Sequence, residues 1–214
     1  MADRTVACFR RRTAGRSRGH HGGPRPGFRR AREDPERSIC LSVTVWRIAT
    51  DTKSYEADDL SGAGAKNTGG RWNAVGDALV YTSETQALAC LETVVHLNAG
   101  GLPLNRYLVS VTIPVTVWAG ARTETTGSLP VGWDADPSGR ASIQFGAAWI
   151  RSAASALLRV PSVIVPDEYN VLINPLHSDS RAITAVKIRK CPYSPESFIV
   201  RGTASSISRE RPQW

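Results

Sequence analysis

From Leu41 onward the chain alternates short strand-like runs with only two helix-like stretches, and this order constrains the fold most strongly. A doubly wound parallel sheet needs a helix after nearly every strand. The sparse helices therefore exclude a regular βαβ array. We predict a mixed α+β domain.

The individual elements follow from hydrophobic periodicity and from capping residues. A first helix is predicted from the capping box of Ser83 and Gln86 to glycines near residue 100. A second helix is predicted from Asp136 and Pro137 to about Leu157. Residues 50–78 are rich in glycine and are interpreted as a long loop of a kind that is often functional. The predicted strands are 43–48, 79–82, 106–113 with an extension over 115–118, 160–165 and 182–188.

The positive charge belongs to the N-terminal segment. The 214 residues carry a net charge of +8, yet residues 1–40 hold eleven arginines against four acidic residues. We interpret residues 1–40 as a disordered tail, either an arginine-rich arm that contacts phosphates or a dispensable extension. Residues 41–190 are the predicted catalytic domain, and 191–214 a C-terminal tail.

Several functional classes are excluded by missing motifs. The four cysteines form no C-x-x-C pair and there are four histidines, which argues against a zinc site and a disulfide scaffold. No apolar run reaches ~18 residues and no secretory signal is readable, so we expect a soluble cytoplasmic protein without a membrane partner. The glycine-rich run 62–70 matches neither the P-loop nor the dinucleotide-binding pattern. A metal site is not predicted.

Two arginines stand where an anion could bind. Arg47 lies within the first strand, where it is either an exposed residue or an inward-facing group that needs an anion. Arg71 follows two glycines and precedes Trp72 and Asn73, a cluster that suits a phosphate beside a flat ring. The alternative for the cluster is an ordinary turn followed by a buried tryptophan.

Other candidates are polar residues next to apolar ones. Tyr81 is either a core residue or the aromatic wall of a pocket, and Ser83 is most simply the helix cap. Glu92 lies in a helix with few charges, where an i,i+4 pair with His96 is as well supported as catalysis. Ser162 heads an apolar strand and needs a hydrogen-bond partner.

His177 is a further candidate acid or base, although a lone histidine is more often structural.

Taken in order, these segments resemble the RES-domain family, the toxin half of bacterial RES–Xre toxin–antitoxin modules. The resemblance spans about residues 43–190. The family is named after an arginine, a glutamate and a serine, which correspond here to Arg47 (with Arg71 as the competing assignment), Glu92 and Ser162. The matching stretches are Trp46-Arg47-Ile48, Gly69-Gly70-Arg71-Trp72-Asn73, Gly76, Tyr81-Thr82-Ser83-Glu84, residues 87–92, His96, Pro161-Ser162-Val163 and residues 165–175.

The resemblance implies strongly bent sheets flanked by helices, similar to ADP-ribosyltransferases. It also implies an enzyme that consumes NAD+ as a substrate, without a bound cofactor, by hydrolysis or phosphorolysis. Growth arrest and a hetero-oligomer with an Xre-type antitoxin are implied as well, with nucleic acid contacted only through the antitoxin. The alternatives are a protein ADP-ribosyltransferase on the same scaffold and a non-enzymatic nucleic-acid-binding protein that uses its basic arm.

Roles for the candidate residues follow from the chemistry. Cleavage of the nicotinamide–ribose bond builds positive charge on the ribose, which the Glu92 carboxylate would stabilise. Arg47 and Arg71 suit the diphosphate because a guanidinium binds phosphate oxygens in a bidentate manner. Tyr81 and Trp72 are candidates to stack on the nicotinamide. Ser162 and Asn73 are candidates to hold a ribose hydroxyl or the carboxamide, and Ser83 is a further candidate to contact NAD+.

Overall fold

The computed structural model describes residues 41–95 and 105–191, which contain a mixed set of strands and short helices. Buried and less buried residues alternate along parts of the two longest strands, as expected for a sheet with one face in the core. The elements in chain order are β1 (Ser42–Thr50), α1 (Ala63–Thr68), β2 (Val80–Ser83), α2 (Gln86–Val95), β3 (Arg106–Pro114), α3 (Val115–Ala119), β4 (Arg122–Thr123), α4 (Arg140–Ser152), β5 (Leu157–Pro161), β6 (Tyr169–Ile173), a 3-10 helix (Ser178–Ala182) and β7 (Thr184–Lys190).

The strands form one seven-stranded sheet in the order β4-β5-β6-β2-β1-β3-β7. β4 and β5 run parallel, and the other neighbouring strands run antiparallel. This arrangement, with helices beside a mixed sheet, confirms the predicted α+β class.

The sheet opens between β1 and β2. All nine residues of β1 pair with β3. In contrast, the pairing of β1 with β2 is recorded at a single position, Trp46 opposite Ser83. Two well-paired halves, β4-β5-β6-β2 and β1-β3-β7, therefore meet at this point, and their separation leaves room for a cleft.

Two apolar clusters stabilise the two halves. The first joins them, because it combines Val45 and Val111 of one half with Val171 and Leu157 of the other. The second contains Trp72, Trp133, Trp149, Leu158 and Leu172 and lies against α4. The helix α4 packs very closely against the Trp72 backbone. A Cβ at Gly146 would lie 1.9 Å from the Trp72 carbonyl oxygen, so glycine is needed there.

Several predicted boundaries are wrong for local reasons. Residues 115–118 form α3 and not a strand, because the chain turns at Pro114. The helix α2 begins at Gln86 and its cap is Thr85, whose hydroxyl accepts from the Leu88 amide at 3.0 Å, so Ser83 is the last residue of β2. The helix α4 begins at Arg140, after Gly139, and not at Asp136.

Other differences concern β5, β6 and the loop. β5 covers Leu157–Pro161, so residues 163–165 follow the strand and do not form it. β6 (Tyr169–Ile173) occupies a segment interpreted as a loop, and α1 interrupts the long loop 50–78. The predictions for residues 1–40, for the end of the first helix near residue 100 and for residues 192–214 lie outside the described residues.

Within the described part of the chain, no helix has the length and apolar character needed to cross a bilayer.

Candidate active site

A cleft of about 670 Å³ opens where β1 and β2 separate. Its walls come from β1, β2, α2, the glycine-rich loop and the segments before α4 and after β5. Six predicted site residues line it: Arg47, Arg71, Trp72, Tyr81, Ser83 and Glu92. The cleft therefore brings together six predicted residues that are up to 45 positions apart in the sequence.

The Glu92 carboxylate accepts hydrogen bonds from Ser162 and Asn170. The Ser162 hydroxyl donates to Glu92 Oε1 at 2.8 Å, and the Asn170 amide Nδ2 donates to the same oxygen at 2.5 Å. The Asn170 amide is itself oriented, because the Ser83 hydroxyl donates to Asn170 Oδ1 at 2.7 Å. Because both groups donate to the same oxygen, Glu92 is fixed as an oriented acceptor.

Ser162 lies behind Glu92 and not on the cleft surface. It is fully buried, and its oxygen accepts from the Ile164 and Val165 amides at 3.1 Å each while donating to Glu92. A hydroxyl has one donor and two acceptor positions, so all of its hydrogen-bonding capacity is used. Its position fits the orientation of Glu92 better than the predicted contact with a ribose.

Arg47 faces the interior. Side chains alternate along a strand, so Arg47 shares a face of β1 with the buried Val45 and Ala49. Its Nη1 donates to the Asp59 carbonyl at 3.1 Å. Burial lowers the pKa of Arg47, and the nearby charge of Asp59 opposes that effect. Of the two alternatives, the inward-facing arginine is the observed one.

Arg71 is already engaged by the protein. Its Nη1 donates to the carbonyls of Trp133 at 3.1 Å and Ala135 at 2.8 Å. These bonds hold the chain just before Asp136, Pro137 and Ser138, which line the cleft. Arg71 therefore positions one rim of the cleft, and the rest of its guanidinium remains a predicted phosphate contact.

Tyr81 and Asn73 fasten the glycine-rich loop. The Tyr81 hydroxyl donates to Asn73 Oδ1 at 2.8 Å and accepts from the Trp72 amide at 2.9 Å. Asn73 is fully buried, and its Nδ2 donates to the carbonyls of Ala65, Ala74 and Asp77. Burial raises the pKa of Tyr81, so its phenol stays neutral.

These bonds test the predicted roles of Asn73 and Tyr81. The Asn73 amide is used within the loop, so its predicted contact with a ribose or carboxamide is not supported. The Tyr81 ring, however, lines the cleft, as predicted for an aromatic wall.

The Trp72 ring belongs to the core. It is 3% exposed, stacks on Trp133 with ring centroids 6.0 Å apart, and meets the edge of Phe145. A ring enclosed in this way has little surface left for a ligand, so its predicted stacking on the nicotinamide is not supported. The turn followed by a buried tryptophan describes its position.

Sequence reasoning missed two residues of this site. Asn170 was placed in a loop, and nothing local shows that its amide faces Glu92, 78 residues earlier. Arg106 opens β3 and lines the cleft, where burial lowers its pKa. An arginine at the start of an apolar strand was the available signal.

The remaining candidates lie elsewhere. His177 is not among the residues lining the cleft, and its Nδ1 accepts from the Asp179 amide at 3.1 Å to cap the 3-10 helix. His96 lies outside the described residues. Among residues 41–95 and 105–191, no group of three or more His, Cys, Asp or Glu side chains is placed to hold a metal ion.

A family model and several relatives match this chain. A model described as "RES domain" matches residues 44–194. A protein of Sphingobium sp. (strain YBL2) named "Prs ADP-ribosylating toxin" is 63% identical over 155 residues, which are 72% of this chain and 96% of the relative. A "Toxin Res" of Yersinia enterocolitica is 34% identical over 135 residues (63% of this chain, 86% of the relative). Another of Pseudomonas putida is 31% identical over 157 residues (72% and 98%).

The chain therefore belongs to the RES-domain family, and the resemblance seen in the sequence is confirmed. Its relatives include proteins named as toxins.

Proposed function

We propose that this protein is a toxin that cleaves the nicotinamide–ribose bond of NAD+. The observation that carries the proposal is the Glu92 carboxylate, which two hydrogen bonds orient at the wall of a 670 Å³ cleft. That volume is in the usual range of small-molecule sites, roughly 300–1,000 Å³. Family membership supports the same chemistry, since one relative is named for ADP-ribosylation.

The reaction needs a negative charge beside the ribose. As the bond to nicotinamide breaks, its electron pair leaves with the nicotinamide and positive charge develops on the sugar. The Glu92 carboxylate can accept a hydrogen bond from a ribose hydroxyl and stabilise that charge. Ser162 and Asn170 keep the carboxylate in place, so no reorientation is needed during the reaction. Tyr81 offers its ring as a wall for the nicotinamide.

The arginines of the cleft suit the two phosphates of NAD+. Arg47 and Arg71 are partly buried residues that line the cleft, where screening by water is reduced. No cofactor is needed, because NAD+ itself is the substrate. No metal is needed either, because the carboxylate and the arginines supply both kinds of charge.

The acceptor of the ADP-ribose is water, phosphate or a protein side chain. Hydrolysis or phosphorolysis would remove NAD+ from the cell and arrest growth. The relative that is 63% identical is named as an ADP-ribosylating toxin, and this specific observation favours a protein acceptor as a second candidate. Both candidates share the first step, cleavage at the nicotinamide.

A toxin of this kind needs a partner that restrains it. We propose an Xre-type antitoxin that covers the cleft, so that any contact with nucleic acid is made through the antitoxin. The cytoplasm, where NAD+ is abundant, is the proposed location.

Release of nicotinamide from NAD+ tests the proposal directly. The purified chain, freed of any co-purified partner, is expected to release nicotinamide, and Glu92→Gln should reduce kcat by about 10²–10³-fold, as for loss of one electrostatic stabiliser. Glu56→Gln is the matched control, because Glu56 is exposed and pairs with Lys187 outside the cleft. Intact NAD+ with well-folded wild-type protein would refute the proposal.

The acceptor is identified in the same assay. Release that depends on added phosphate indicates phosphorolysis, and release in plain buffer indicates hydrolysis. Transfer of labelled ADP-ribose to a protein indicates the second candidate. Salt-sensitive nucleic-acid binding that disappears on deletion of residues 1–40, without any NAD+ cleavage, would instead support the basic-arm alternative.

A further inference from the structure

Arg106 carries a buried donor without a partner. Its Nε is inaccessible to solvent and has no hydrogen-bond acceptor in the part of the chain that the structure describes. A buried donor left unpaired is destabilising, and more so when the group is charged. Such a group in a native protein calls for an explanation, and a role in binding a ligand that supplies the acceptor is one.

The other two cleft arginines do not share this property. Arg47 donates to the Asp59 carbonyl, and Arg71 donates to two carbonyls of the segment before α4. Arg106 forms no ion pair with a carboxylate among the described residues. Of the three arginines that line this cleft, Arg106 is therefore the one with a buried Nε that has no acceptor among the described residues.

The strand register places Arg106 in a distinct part of the cleft. Arg106 pairs with Thr50 of β1, and paired residues point to the same face of a sheet. Thr50 shares its face with Trp46 and Ile48, whereas Arg47 lies on the opposite face. All four of Trp46, Arg47, Ile48 and Arg106 line the cleft, so the cleft reaches both faces of β1.

The part of the cleft on the Trp46 and Ile48 face of β1 combines a cation with apolar side chains. Trp46 and Ile48 lie on its β1 side, and Thr93 and Val95 of α2 also line the cleft. A cleft that offers a guanidinium on the same face as an aliphatic side chain and, farther along the strand, an indole suits a phosphate that is joined to a nucleoside, since the fork binds oxygens and the apolar side chains contact carbon.

We propose that Arg106 binds a phosphate group of the ligand in this cleft, and that this phosphate subsite lies on the face of β1 that carries Trp46 and Ile48, opposite to the face that carries Arg47. The inference rests on the proposed use of NAD+, whose diphosphate is the favoured occupant. Inorganic phosphate, as an acceptor for ADP-ribose, has the same chemistry and is the other possible source.

Binding of two uncleavable probes tests the subsite without relying on catalysis. ADP-ribose carries the diphosphate and lacks nicotinamide, and adenosine lacks phosphate. Calorimetry on the full chain should show that Arg106→Met weakens ADP-ribose binding by about ten- to a hundredfold, the value expected for charged hydrogen bonds. Adenosine binding should be unchanged, and Arg151→Met, an exposed arginine of α4, should leave both unchanged.

A second readout concerns the free protein. Because Arg106→Met removes a partly buried guanidinium whose Nε has no acceptor among the described residues, its melting temperature without ligand should equal or exceed that of the wild type. The ligand-induced rise in melting temperature should be smaller. Arg106→Lys, which keeps the charge and loses the fork, should bind ADP-ribose with intermediate affinity and serves if the methionine variant does not fold.

The outcomes separate the two sources and the two proposals. Weaker ADP-ribose binding assigns the subsite to the diphosphate, whereas weaker binding of inorganic phosphate alone assigns it to the acceptor. The proposed subsite would be overturned if the folded Arg106 variants bound ADP-ribose and inorganic phosphate as tightly as the wild type does. If the wild type shows Arg106-dependent ADP-ribose binding yet releases no nicotinamide, the proposed function fails and the subsite stands.

Discussion

Replacing Ser162 by alanine should separate the orientation of Glu92 from the stability of the fold. The change removes one oxygen atom that makes three hydrogen bonds: a donation to Glu92 Oε1 at 2.8 Å and acceptance from the Ile164 and Val165 amides at 3.1 Å. Because Ser162 is fully buried, water cannot easily replace the lost oxygen. Glu92 keeps the bond from Asn170 and loses the one from Ser162.

The expected magnitudes follow from these contacts. Unpaired buried amides cost roughly 1–3 kcal/mol each, and the partly exposed Ile164 and Val165 place the total near the low end, about 2 kcal/mol. For a domain of this size, about 2 kcal/mol lowers the melting temperature by roughly 4–8 °C. Loss of the Ser162 donor to the carboxylate should lower kcat by about 10–100-fold, with a small change in KM for NAD+.

Steady-state release of nicotinamide and a thermal melt measure the two effects. The matched control is Ser142→Ala in α4, since Ser142 is also fully buried and donates to the Gly139 carbonyl at 3.2 Å, yet does not contact Glu92. The control should lose stability while kcat stays unchanged. The reasoning is refuted if folded Ser162→Ala keeps the wild-type kcat, or if Ser142→Ala loses as much.

Two further predictions concern the loop and pH. In Gly70→Ala the new Cβ would lie 2.6 Å from the Tyr81 hydroxyl, so we expect a loss of about 1–3 kcal/mol in unfolding free energy and weaker NAD+ binding, whereas Gly120→Ala should change neither. The Ala57 amide and Lys187 lower the pKa of Asp51, so its stabilising charge is present above the unfolded value of 3.8 and is lost as the pH falls through the folded pKa. Asp51→Asn should therefore lower the denaturation midpoint at pH 7, and the difference from the wild type should shrink below pH 3.8. An equal difference between variant and wild type at pH 7 and in acid would contradict this.

Periodicity recovered the strands whose two faces differ. β1 and β3 alternate buried and less buried residues, and both were predicted within two residues of their observed bounds. β6 was missed because Asp167 and Glu168 precede it and its last three residues are all buried, which gives no alternation. Leu157 was assigned to the preceding alanine-rich helix because a short apolar run fits both a helix end and a buried strand.

The sequence indicated which residues belong to the site better than it indicated what each of them does there. Glu92 and Ser162 could be singled out as polar groups beside apolar ones, but the hydrogen bond between them joins residues 70 positions apart, which no local pattern encodes. Trp72 and Asn73 were expected to contact the ligand. Their use inside the protein became visible when the rings of Trp133 and Phe145 and the Tyr81 hydroxyl were located around them.

The hydrogen bonds made to the protein differ among the three arginines of the cleft, Arg47, Arg71 and Arg106, which the sequence alone does not distinguish. A guanidinium has five N–H donors, and what remains after the protein's own acceptors is what a ligand can use. Arg71 donates to two carbonyls that fix the cleft rim, so its loss should disturb the rim as well as ligand binding. Arg47 donates to one carbonyl, and Arg106 has a buried donor without an acceptor in the described part of the chain. Ligand binding should therefore account for more of the effect of substitution at Arg106 than at Arg71, where rim disorder adds to it.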